Sequence, residues 1–229
     1  MALQIGHAQA GVRAASSRAE FIMKTYLHLF GAVMAFIAIE VFLFQSGLAL
    51  PIAQAMLGTT WLLVLGGFMI VSWLATHAAH RSQSIGAQYA ALAAFVAAEA
   101  IIFVPLLAIA NHVAPGAISS AATVTVVGFM GLTGVVFTTR KDFSFLGSVL
   151  RWGFVCALVL VVAGLIFGFE LGTFFSVGMV ALAGGAILYD TSNVLHHYPE
   201  DRHVGAALQL FASVALMFWY VLRLFMSRD

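Results

Sequence analysis

Charge is what this chain has least of. Charged side chains make up 8% of its 229 residues, where a water-soluble domain carries roughly a quarter. That scarcity leaves no polar surface to wrap a soluble core. It excludes a basic stripe of the kind that tracks nucleic acid, and the formal net charge is only +1. Cys156 is the single cysteine, so neither an internal disulfide nor a thiolate metal site can form. It lies deep in an apolar run and reads as a packing residue. No HExxH or paired Cys/His pattern, no GxSxG elbow, no phosphate-cradling loop and no EF-hand ligand run occurs. The reading is therefore not an enzyme, with no cofactor and no bound metal. The opening MALQIGHAQAGVRAASSRAE has no apolar core before residue 20 and does not read as a secretory signal.

What is present is hydrophobic: 62% of the residues, with a mean hydropathy of +1.04. A membrane-spanning helix needs about 20 mostly apolar residues. Stretches 22–46, 59–80, 86–110, 117–139, 146–169, 172–197 and 204–226 satisfy this. The blocks are continuous rather than alternating, which excludes a β-barrel. The reading is an all-α polytopic membrane protein, with residues 1–20 as a cytosolic tail and 21–229 as one seven-helix domain. Short links make successive helices antiparallel neighbours.

Basic residues orient the bundle. Arg13, Arg18, Lys24, Arg81, Arg140, Lys141, Arg151 and Arg202 fall at the N-terminus and alternate links, while 47–58, 111–116 and 170–171 contain no Lys or Arg. This places the N-terminus in the cytoplasm. Seven crossings then put Arg223 and Arg228 outside, against the rule. A last span held by burial and a C-terminus that returns inward both stay open.

Three carboxylates interrupt apolar runs: Glu40, Glu99 and Asp190. Each costs a few kcal/mol inside a bilayer, so together they suggest a shared polar interior. Each can equally act as hydrogen-bonded glue between helices. Asp190 is the leading functional candidate, because Thr191, Ser192 and Asn193 follow it and make a polar cluster suited to a gate. Gly164, Gly168 and Gly172 form a small-xxx-small row, and Gly184 and Gly185 precede Asp190. Close packing there turns Asp190 toward other helices. His77, His80, His196, His197 and His203 read as interfacial histidines with pH sensitivity rather than metal ligands. Trp61, Trp73, Trp152, Trp219 and Tyr220 read as interfacial anchors.

TTRKDFSFLG (138–147), LYDTSNVLHH (188–197), AALQLFASVALMFWYVLRLF (206–225) and KTY (24–26) resemble the Bax inhibitor-1 family. The TTRKD and TSN wording and the C-terminal SRD are similar to its bacterial YccA branch. The resemblance covers about residues 20–229. It implies a seven-helix bundle with the last helix surrounded by the other six. It implies a pH-sensitive leak for calcium or protons across the lipid bilayer, with calcium ion as a partner. For the YccA branch it implies binding to a membrane-embedded, ATP-dependent quality-control protease. Calcium-leak members carry two aspartates, one ending span six and one in span seven. Asp190 matches the first, but Ser213 stands at the second. Two facing carboxylates cannot both ionise cheaply, which makes such a pair a pH switch. A carboxylate facing Ser213 lacks that repulsion, so the acid–acid latch does not carry over. The family also pairs the first aspartate with a basic residue ending span two, for which Arg81 is the candidate. Glu99 replaces a usually small residue and is a candidate substitute acid.

Overall fold

The computed structural model describes residues 2–82 and 84–227. Eight helices follow one another: α1 (Ala2–Gln45), α2 (Ala49–Leu57), α3 (Trp61–Arg81), α4 (Ile85–Val113), α5 (Ala117–Thr139), α6 (Leu146–Phe167), α7 (Thr173–His196) and α8 (His203–Met226). Seven of them are long and apolar enough to cross a membrane; α1 contributes its Ser16–Gln45 portion. No strand occurs among the described residues. The helix that the sequence reading lacks is α2. It lies in the first link, too short to span, and packs Ala49 and Ala53 against Leu43 of α1 and Val104 of α4.

Left-handed backbone closes several helices where the chain must turn sharply. Gly116 (φ +87°) makes the tight link before α5, and Gly168 (φ +74°) caps α6. Glycine takes these angles without a Cβ penalty. Arg140 (φ 51°) does the same at the end of α5, the one non-glycine to do so among the described residues. Ser84 caps α4 by accepting the Ala87 N–H. Pro105 interrupts the hydrogen-bond ladder inside α4, a break that membrane bundles tolerate when neighbouring helices cover it.

Helix α8 is central. In its most apolar stretch 67% of residues are buried, against 6% for α6. It packs on α1, α3, α4, α5 and α7; α6 instead lies against α7 and only grazes α3. The last helix is thus enclosed by five of the other six spans. A chain of rings ties α1, α4 and α8 together: Phe36 meets Phe103 and Phe211 edge-on, Phe103 stacks on Phe218 at 5.6 Å, and Trp219 stands edge-on to Phe103 at 4.9 Å. Trp219 and Tyr220 are therefore packing residues rather than interfacial anchors, while Trp73 and Trp152 are exposed as anchors would be.

The polarity is that of a molecule solvated by lipid. Phe30, Ile70, Val127 and Val159 face outward, whereas Thr25, Gln88, Thr125 and Ser176 are buried. Cys156 also faces outward, which corrects its reading as a packing residue. Between spans there is no hydrophobic gain from leaving lipid, so close approach and polar contacts hold the helices. Gly205 shows the approach: a Cβ there would lie 3.0 Å from the Ala79 carbonyl oxygen of α3. Gly184 and Gly185 likewise admit Leu132 and Met217 on one side and Leu150 on the other. The Gly164/Gly168/Gly172 row is not a helix-packing seam, because Gly168 and Gly172 form the α6–α7 link.

The bundle has a basic end, carrying the α3–α4, α5–α6 and α7–α8 links, and a far end with the remaining links. Arg223 lies at the far end. Its guanidinium donates to the Leu171 carbonyl at 3.4 Å and sits over the Tyr220 ring. Packing thus employs the charge that conflicts with the orientation rule. Arg228 lies outside the described residues.

Candidate functional site

Asp190 sits in the last third of α7, toward the basic end, and is only 3% exposed. Ser213 of α8 donates its hydroxyl to Asp190 Oδ2 at 2.5 Å. The glycines at 184 and 185 let α8 and α6 close on α7 just before this residue. The acid therefore points into the bundle and not into lipid.

The expected partner Arg81 is elsewhere. It is the last residue of α3 and is exposed, and no ion pair joins it to Asp190 among the described residues. At a helix end an arginine keeps its hydration, and burying it beside a carboxylate would cost more than the attraction returns. The serine hydroxyl is the contact the structure assigns to the acid.

A cavity of about 1110 Å³ opens between α3, α4, α6, α7 and α8. Asp190, Ser213 and Gln209 line it, and so does Glu99 from α4. Two of the three intramembrane acids therefore share one interior space. Glu40 does not line it; both its carboxylate oxygens are buried without a protein partner. The cavity reaches Trp61, Glu170 and Arg223 at the far end and Arg151 and Thr76 toward the basic end. Behind Asp190, the hydroxyls of Tyr26 (α1), Thr133 (α5) and Thr191 (α7) come together in a buried polar cluster.

The end of α7 is locked by a clamp in which Ser192, expected in a gate, and His197, expected at the interface, both bind Asp142. Ser192 accepts the Phe143 N–H at 2.9 Å and donates to Asp142 Oδ1 at 3.3 Å. Asp142 also accepts the Ser144 N–H at 2.8 Å and His197 Nε2–H at 2.9 Å. The Ser144 amide, with His197 behind it, holds the Asp142 carboxyl well below the usual carboxylate range. From α1, Arg18 donates to the Leu195 and Tyr198 carbonyls, which the end of a helix leaves unpaired. The available signal was that TTRKD and YDTSN are both polar islands beside apolar spans, and the fold places one against the other.

The histidines do not converge on a metal. Among the described residues no three His, Cys, Asp or Glu side chains are placed to hold one. His197 serves the Asp142 clamp, and His203 lies 5.0 Å, ring to ring, from His28. His28 donates Nδ1–H to the Lys24 carbonyl and meets the Tyr89 hydroxyl at 2.7 Å.

The family profile described as "Inhibitor of apoptosis-promoting Bax1" matches residues 18–229. The chain is 35% identical over 108 residues to "Modulator of FtsH protease YccA" of Escherichia coli K12, covering 46% of this chain and 49% of that protein. It is 36% identical over 111 residues to an uncharacterized protein of Pseudomonas aeruginosa, covering 47% and 49%. It is 32% identical over 114 residues to Bax inhibitor 1 of Schizosaccharomyces pombe, covering 47% and 41%. The matches thus span about half the length of these curated relatives. The profile, by contrast, takes in every one of the membrane-length helices, from the Ser16–Gln45 span of α1 through α8. This seven-span membrane protein belongs to the Bax inhibitor-1 family.

Proposed function

We propose that this chain is a non-enzymatic cation leak whose pathway runs through the cavity and is governed at Asp190. One observation carries the reading: Asp190, Ser213 and Glu99 line a single large cavity inside an otherwise apolar bundle. Ionisable groups are costly at that depth, and their usual service is to an ion pathway. Carboxylate and hydroxyl oxygens are the ligands that calcium and other hard cations accept. With Ser213 facing Asp190, no like-charged pair is present there to sharpen a pH response. The leak therefore has a shallow pH profile, without the steep transition of two acids that share a proton. Arg81 has no part in the gate. The N-terminus and the basic end face the cytoplasm of a cell whose inner membrane holds the protein.

The test is calcium release from liposomes containing only purified protein, measured across pH. The reading expects release above protein-free liposomes with a shallow pH profile. No release at any pH contradicts it.

A second reading has its own support. The Escherichia coli relative is named a modulator of FtsH protease, and α1 continues to Ala2, beyond its membrane-length portion. On this reading the chain binds and restrains a membrane-embedded, ATP-dependent protease. Recovery of such a protease on the tagged chain from solubilised membranes, with silent liposomes, favours it over the leak.

A further inference from the structure

We propose that the cleft between α3 and α6 is a binding site for an anionic glycerophospholipid. The site faces the bilayer and does not rest on the leak reading. Helix α6 is held along α7 but only grazes α3, so the cavity opens sideways between them. Its α3 wall is apolar through Leu65 and Met69, and its α6 wall through Leu158, Val161 and Leu165. From Arg151 to Leu165 the α6 wall runs ~21 Å along the helix. One leaflet's share of the hydrocarbon core is about 15 Å, so an acyl chain fits the wall lengthwise. The volume of about 1110 Å³ lies just above the range of about 300–1,000 Å³ typical of small-ligand pockets.

Charge picks the headgroup. Arg151 stands in the second turn of α6, exposed at the rim of this cleft. Its Nε–H donates to the Gly147 carbonyl at 3.2 Å, which turns the guanidinium toward the basic end. Among the described residues no carboxylate pairs with it. The α3 wall adds Ser72, whose buried hydroxyl has no partner, and Thr76. Guanidinium and hydroxyl donors suit phosphate oxygens, and basic pockets between spanning helices are a recurrent anionic-headgroup site. Of the cavity's three acids, Asp190 and Glu99 belong to its inner wall on α7 and α4, and Glu170 lies at the far end, opposite to Arg151.

The test is native mass spectrometry of the detergent-purified chain with phosphatidylglycerol or phosphatidylcholine of identical acyl chains. Wild type should retain phosphatidylglycerol about fivefold better, the weight of one arginine beside an anionic headgroup. Arg151→Gln should abolish that preference, and Arg151→Lys should keep most of it. Leu158→Trp, which fills the cleft, should weaken both lipids, and Arg140→Gln, outside the cleft, should change neither. No headgroup preference in wild type overturns the proposal. So does a preference that survives Arg151→Gln, or one lost equally in Arg140→Gln, which would mark surface charge and not a site.

Discussion

At Asp190, one buried carboxylate and one serine hydroxyl make the central contact of the bundle. Ser213→Ala removes the donor and leaves the acid without its hydrogen-bond partner. Loss of a hydrogen bond to a buried group costs about 1–3 kcal/mol, so the variant's thermal unfolding in detergent should shift down by several degrees. An unchanged midpoint would mean that the contact is not formed. Ser213→Asp places two acids face to face. In the liposome assay it should gain a steep pH transition that the wild type lacks. A steep near-neutral transition in the wild type would show that another acid, Glu99 first, already supplies the second charge. Asp190 was legible because an isolated carboxylate in a long apolar run must find a polar setting, and Ser213 because the family register points to it. Arg81 was not. Hydropathy locates the end of a helix but not its azimuth, and one residue turns a side chain by about 100°. Glu99 was singled out as a candidate substitute acid through family likeness, but which way its helix and that of Glu40 turn, and so which acid lines the cavity, is not written in hydropathy.

Helices α5, α6 and α7 are joined at the basic end by the Asp142–Ser192–His197 clamp. Asp142→Ala should raise amide hydrogen exchange across residues 140–146 and at the end of α7, while α4 stays protected. Uniform exchange across the bundle would contradict a local clamp. The pH sign follows from the depressed Asp142 carboxyl. Its contribution is full above the ordinary carboxylate range and is lost only as pH falls through the depressed value. Titration of Asp142 itself should therefore add no pH dependence to exchange in this segment above about pH 5, once corrected for intrinsic rates. Where α3 and α8 meet, Gly205→Val drives a side chain at the Ala79 carbonyl. Overpacking of this kind costs about 1–3 kcal/mol, and the thermal midpoint should fall. The seven spans were legible because length and hydropathy suffice for a helix that crosses a bilayer. Helix α2 was not, since nine residues fall below any spanning length. The clamp was not legible either, because it joins residues about 50 apart through a tertiary contact.

For the whole molecule, a central α8 sets the design: five spans pack around it, and the sixth, α6, leaves a cavity between itself and α3. Sequence carried the bundle and its central helix through family likeness, but the cavity depends on where α6 sits, which composition does not encode. Orientation is a separate matter. With Cys156 replaced by serine, Leu48→Cys should react with an impermeant thiol reagent in intact cells; reaction only in broken cells would invert the bundle. The central claim is that Asp190 governs an ion pathway. The most direct measurement compares calcium release from liposomes holding wild type or Asp190→Asn, at matched protein density, from pH 5 to 8. The account predicts that the variant changes the basal release and flattens what pH dependence exists. Superimposable curves from two correctly folded proteins would contradict it.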